Sequence, residues 1–209
     1  MTKLPFRIHI LPDDFHGTSA AAYSGSGSVA SAPDVACPNC NLAMFPALNF
    51  ESTELVNCQD YFGSDFASFL FCPSCAHHLS PYWIRLRKME VVGGFTDDGE
   101  VLVNVCRPYK ARLVELREIN VGPTYLDRNA GTGIYHQIGG VPIIGKNQMM
   151  HCCDCNGPME FAGLLDSDNL NVPLYENSES PLSLMIADDG CLNVYCCASC
   201  AVLGMQVAR

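Results

Sequence analysis

The sequence predicts a mainly β fold with a minor α part (α+β), made of two related β-rich units that each carry a four-cysteine zinc knuckle site. Three observations carry this expectation. Cys37-Pro38-Asn39-Cys40 is answered by Cys72-Pro73-Ser74-Cys75, and Cys152-Cys153-Asp154-Cys155 by Cys197-Ala198-Ser199-Cys200. The stretch CPNCNLAMFPALNFES (37 to 52) laid over CCDCNGPMEFAGLLDS (152 to 167) matches at six of sixteen positions, so the repetition reaches beyond the thiols. Each second knuckle closes an apolar run, Phe69-Leu70-Phe71 before Cys72 and Leu192-Asn193-Val194-Tyr195 before Cys196, which reads as a strand delivering the last two ligands.

Taken in order, the first unit spans 1 to 119 and the second 120 to 209, expected to share a core as one two-lobed body. The opening MTKLPFRIHILPDD has an apolar stretch too short and too interrupted for a signal h-region. Residues 17 to 33, GTSAAAYSGSGSVASAP, are small and polar, the composition of a flexible segment. Met89-Glu90-Val91-Val92 and Val101-Leu102-Val103-Asn104-Val105 flank a Thr96-Asp97-Asp98-Gly99 turn and read as a hairpin, while Ala111 to Ile119 suits a strand or a short helix. Between the second unit's knuckles lies a polar insertion, Asp166 to Pro181, that lengthens the gap to 41 residues against 31 in the first. No apolar run approaches the roughly 20 residues that span a bilayer, so a soluble protein is expected.

A structural zinc site needs four deprotonated soft ligands, and two CxxC turns supply them. Cys37, Cys40, Cys72 and Cys75 form the first expected set. For the second, the repeat selects Cys152, Cys155, Cys197 and Cys200, with Cys153 and Cys196 as buried neighbours or alternates. His77, His78 and His151 lie beside knuckles, and Cys58, Cys106 and Cys191 are expected in the core. An odd count of thirteen cysteines in tight pairs, with no export signal, fits a reducing compartment, the cytoplasm, where metal rather than disulfides holds the thiolates. Redox chemistry is the competing reading of CPNC and CPSC, but a redox dithiol works singly at a helix start.

Four thiolates fill the coordination sphere of zinc and leave no place for water, so such a site holds a fold and activates no nucleophile. None of the six histidines is followed by x-Glu, and HExxH, GxxxxGK[ST] and GxSxG are missing from the sequence, as is a GxGxxG after a strand. No catalytic residue is therefore assigned. Asp13-Asp14 and Asp188-Asp189 sit among turn residues and read as solvated.

The formal charge is −10, and two zinc-tetrathiolate sites would take it to about −14. Acids dominate both ends, with seven against two bases in residues 1 to 82 and nine against three in 120 to 209. The basic residues Arg85, Arg87, Lys88, Arg107, Lys110, Arg112 and Arg117 are diluted by six acids, so nucleic acid is a poor partner. A basic protein partner suits the field better, and Asp166, Asp168, Glu176 and Glu179 of the insertion are the expected contributors to its capture.

The second unit runs Tyr135-His136-Gln137-Ile138-Gly139-Gly140-Val141-Pro142, the first CxxC, Met159-Glu160-Phe161, Leu165-Asp166-Ser167-Asp168 and Asp188-Asp189-Gly190-Cys191-Leu192-Asn193-Val194-Tyr195. Over roughly Tyr135 to Cys200 this order resembles the YwqG-like family of bacterial proteins, and more distantly the programmed-cell-death ribosomal-protein chaperones, which share a duplicated β-rich zinc architecture. Ile143 stands where the family often has Trp, and the knuckle glycine is displaced to Gly157. The resemblance implies a fold rather than an activity. The functional expectation is a non-enzymatic, zinc-stabilised acidic protein that neutralises a partner, with a bacterial immunity protein against a toxin placed first. A chaperone of a basic client such as a ribosomal protein, or an enzyme with a site between the lobes, are the alternatives.

Overall fold

A computed structural model describes residues 6–10, 22–24, 35–41, 43–51, 57–72, 81–93, 112–118, 137–140, 149–166 and 191–208. These residues are mostly strand: β1 (Phe6–Ile10), β2 (Ala22–Ser24), β3 (Phe45–Glu51), β4 (Phe66–Phe71), β5 (Tyr82–Arg85), β6 (Glu90–Val92), β7 (Arg112–Glu118), β8 (Gln137–Ile138), β9 (Glu160–Asp166), β10 (Cys191–Cys197) and β11 (Val202–Ala208), with one helix, α1 (Cys58–Phe62). They form one antiparallel sheet in the order β4-β3-β2-β7-β1-β8-β9-β10-β11-β5-β6. No helix among the described residues is long and apolar enough to cross a membrane.

Two hairpins dominate, β3–β4 and β9–β10, and each carries a one-residue bulge. Ala47 is skipped between the pairs Pro46↔Leu70 and Leu48↔Phe69, and Ala162 between Gly163↔Val194 and Phe161↔Tyr195. The bulge beside Pro46 also places a residue without an N–H where the ladder is already irregular. The apolar runs read as ligand-delivering strands are β4 and β10. Both faces of these strands are covered: β10 is buried at every residue and β4 at all but Phe66. Continuous apolar runs, rather than alternation, are what such strands require.

Although β4 and β5 lie near opposite ends of the strand order, the sheet returns on itself. The Tyr82 hydroxyl on β5 donates to the Leu70 carbonyl on β4 at 2.6 Å, and both residues are buried. Within the fold the main core joins Phe62, Phe69 and Leu70 of the first half to Leu165, Leu192, Val194 and Leu203 of the second. A smaller cluster of Met150, Met159, Tyr195 and Val202, flanked by Trp83 and Phe161, lies over the second cysteine group.

Helix α1 is too short to hold alone. Asn57 caps it, its side-chain oxygen accepting from the Gln59 N–H at 3.0 Å. Gly63 ends it in the left-handed region, φ 70°, its N–H donating to the Gln59 carbonyl. Phe62 anchors it against the edge of Phe69, ring centroids 6.1 Å apart at 80°.

Three local expectations meet the structure here. Of the stretch read as a strand or a short helix, Arg112–Glu118 is a strand, β7, because it is sandwiched between β1 and β2. The small polar segment 17 to 33, whose composition suits a flexible segment with little regular structure, contributes the three-residue β2, whose pairing to β3 and β7 supplies what its composition does not. Of the hairpin around Thr96–Gly99, β6 is present, and residues 94 to 105 lie outside the described set.

Candidate metal centres

The first knuckle of each hairpin is built by backbone geometry. Val35 and Met44 pair through the Met44 N–H at 2.7 Å, and Met150 and Met159 through the Met159 N–H at 2.9 Å. Inside these pairs the bridges Ala36↔Ala43 and His151↔Pro158 close the loops. At the tips, the Asn41 N–H donates to the Cys37 carbonyl at 2.8 Å and the Asn156 N–H to the Cys152 carbonyl at 2.9 Å. Both turns need a left-handed residue, and asparagine supplies it, with φ 58° at Asn41 and 57° at Asn156. Asn156 therefore takes the conformation expected of a knuckle glycine, while the Gly157 carbonyl accepts from the Cys152 N–H.

Each first knuckle meets the end of its hairpin's second strand. Cys152, Cys155, Cys197 and Cys200 have their sulfurs within 4.8 Å of one another, and so do Cys37, Cys40 and Cys72. Cys75, the expected fourth member of the first set, lies outside the described residues, as do His77, His78 and Cys106. The register chosen by the repeat is the one brought together. Cys153 is exposed, and Cys196 is buried, its thiol donating to the Tyr61 carbonyl at 3.0 Å. Cys58 and Cys191 are core residues. His151 stays out of the cluster, exposed, its Nδ1 3.1 Å from the Asn156 carbonyl.

The sulfur spacing fits a metal and not disulfides. Cys40 and Cys72 Sγ are 3.5 Å apart and Cys155 and Cys197 Sγ 3.8 Å, whereas a disulfide needs about 2.05 Å. Zinc–sulfur bonds of about 2.3 Å in a tetrahedron put sulfurs about 3.8 Å apart. Either group could hold a metal ion, and the second offers a complete set of four soft ligands.

In each cluster one thiol gives up its proton more readily than an ordinary cysteine. The Cys72 thiol holds Cys37 down at about 5, with burial opposing it and the backbone N–H groups of Cys40 and Asn39 assisting. Burial pushes Cys197 up, but the Ser199 hydroxyl and the Cys200 N–H outweigh it and leave Cys197 at about 7. Its neighbours hold their protons more tightly: hydrogen bonds to Cys155 and Cys197 raise Cys200 to about 12, and burial raises Cys152. Burial and then Asp154 raise Cys153 to about 11, so the exposed thiol outside the cluster is a poor nucleophile.

The residues that support the second group come from β5, far away in the chain. Trp83 Nε1–H donates to the His151 carbonyl at 2.8 Å. Arg85 directs Nε and an Nη to one oxygen of Asp154, at 2.9 and 2.7 Å, and another Nη to Glu90 at 2.9 Å. The guanidinium holds the Asp154 carboxyl below the ordinary carboxylate range. Arg85, read from sequence as part of a diluted basic patch, is thus committed to the knuckle. The alternation of Tyr82-Trp83-Ile84-Arg85 marks a strand, but nothing local in it names β11 as its partner. Arg85→Ala is expected to leave the melting temperature nearly unchanged, since exposed ion pairs contribute little. Release of metal from the second group to a chromogenic chelator should nevertheless speed up severalfold, because Asp154 then loses its anchor; an unchanged release rate would show that Arg85 plays no part there.

Of the acids expected to meet a partner, Asp166 closes β9, its backbone paired with Cys191, and its side chain lies outside the described set. Asp168, Glu176 and Glu179 lie wholly outside it. No family profile matches the chain, and no curated protein or solved structure matches it either.

Proposed function

We propose that each cysteine group holds one zinc ion in a closed centre that stabilises the fold, and that the chain acts by binding a basic protein partner. The observation that carries the metal half of this reading is the second group, four sulfurs within 4.8 Å of one another with no fifth ligand beside them among the described residues. A site so filled polarises no substrate, which favours binding over catalysis. The acidic balance of −10 supports a basic partner, and a toxin neutralised by this chain is the version placed first, ahead of a basic chaperone client.

Within the same reading the two hairpins are copies of one unit. Support comes from features that recur at a constant offset of 115 residues: the bridge at 36 and 151, the left-handed asparagine at 41 and 156, and the bulge at Ala47 and Ala162. The resemblance to YwqG-like proteins bears on the second copy alone, and the duplication is what the more distant resemblance to the programmed-cell-death ribosomal-protein chaperones implies.

The binding half is tested by changing Asp166, Asp168, Glu176 and Glu179 together to Lys. With a partner recovered by cross-linking in cells, the association rate is expected to fall about tenfold or more at low salt and to lose much of its salt dependence. Metal content and melting temperature should stay nearly unchanged. An association rate indifferent to both salt and the substitutions would rule out acidic capture.

A further inference from the structure

We propose that the two cysteine centres load metal interdependently, occupancy of either raising the affinity of the other through β5 and α1. The inference rests on the reading of both groups as metal centres. Its warrant is that one four-residue strand touches the surroundings of both. Tyr82 faces inward, bonded to the Leu70 carbonyl two residues before the ligand Cys72, and it is buried in the same core cluster as Cys37 and Cys72. Trp83 and Arg85, on the other face of the strand, hold His151 and Asp154, which flank the ligand Cys152 and lie within its knuckle. The next N–H, of Leu86, donates to the Ala201 carbonyl at 2.9 Å, one residue beyond the ligand Cys200.

Helix α1 supplies a second route. It lies in the connection of the first hairpin, yet the Tyr61 carbonyl accepts from Cys196, the neighbour of the ligand Cys197. Gly63 lies so near the second knuckle that a Cβ added there would run into the carbonyl oxygen of Ala198, between Cys197 and Cys200. Arg87, from the turn after β5, donates to the Gly63 carbonyl at 3.3 Å and ties the two routes together.

Binding at a centre whose knuckles are not yet fixed includes the cost of ordering them. Because β5 and α1 belong to the surroundings of both centres, the first metal orders elements that the second would otherwise have to order. The linkage is reciprocal by necessity.

Cobalt(II), followed by its visible absorption, is the probe. The overall constant for two ions on the wild-type chain is compared with the product of the constants of two variants, Cys37→Ser/Cys72→Ser and Cys155→Ser/Cys200→Ser. An excess of about tenfold is expected, within the roughly 5- to 150-fold span of site-to-site couplings. Trp83→Phe, which keeps an aromatic ring but removes the N–H, should shrink that excess toward one when placed in all three backgrounds. Equality within about twofold overturns the linkage, and an excess untouched by Trp83→Phe overturns the route through β5.

If a variant loses its fold by circular dichroism, native mass spectrometry of the wild-type chain decides. Its two stepwise constants, combined with the single constant of whichever variant stays folded, give the same excess, and an excess within about twofold of one overturns the proposal. A wild-type chain that binds no cobalt would instead remove the metal reading itself, so the two failures are distinct.

Discussion

Cys197→Ser is expected to cost the protein one metal ion per chain and to unfold most of the second hairpin, whereas Cys196→Ser, one residue away, keeps both ions. Cys197 shares the sulfur cluster, with Cys155 at 3.8 Å, while Cys196 points across the sheet to the Tyr61 carbonyl. Structural zinc contributes on the order of 10 kcal/mol or more to small knuckle folds, comparable with the roughly 5–15 kcal/mol that separates a whole domain from its unfolded chain. Serine at 196 retains a donor for Tyr61, at a cost of about 1–3 kcal/mol for a slightly misplaced buried hydroxyl. Cys153→Ser, at an exposed position, should change neither quantity. In the first hairpin Cys37→Ser and Cys72→Ser should each remove one ion, and Cys58→Ser should not. Elemental analysis and thermal melts decide, and two ions retained by Cys197→Ser would show the register to be wrong.

Gly63→Ala should be the most damaging change outside the cysteines. Alanine at φ 70° costs about 1–2 kcal/mol, and its Cβ would overlap the backbone of Ala198, which has no side-chain freedom with which to yield. Together these amount to about 3–5 kcal/mol and a melting temperature lower by about 10 °C. Metal loss from the second centre should also accelerate, because Ala198 lies between two of its ligands. A melting temperature within about 2 °C of the wild type would mean that α1 and the second knuckle are free to separate.

Much of the second centre is legible in the sequence. The offset that aligns Asn41 with Asn156 also chooses Cys152 over Cys153, the CxxC spacing to Cys200 chooses Cys197 over Cys196, and the apolar runs before the second knuckles identify β4 and β10 as the strands that deliver ligands. What could not be read is which distant segment completes each centre. Tyr82-Trp83-Ile84-Arg85 pairs with residues 202 to 205, and a pairing across such a separation leaves no mark in a local pattern. Arg85 illustrates the loss: composition counts it as a free base, and only its two carboxylate partners show it to be engaged. α1 was missed for a different reason. Five residues are too few for helical periodicity, and only Asn57 and Gly63 at its ends could have signalled it.

The place of β5 between β11 and β6 also sets an order of events during synthesis. The first hairpin pairs strands close in the chain and can close early, whereas β5 must wait until β11 emerges, a delay of about 6 to 25 seconds at ordinary translation rates. Throughout that delay the edge of β5 that β11 will cover has its N–H and carbonyl groups unpaired, and Trp83 lacks the His151 carbonyl it finally binds. Chains crowded together at that stage are therefore at their most prone to pair strand to strand, and expression at lower temperature or with a holding chaperone should raise the yield of folded protein more than any change in the metal supplied afterwards.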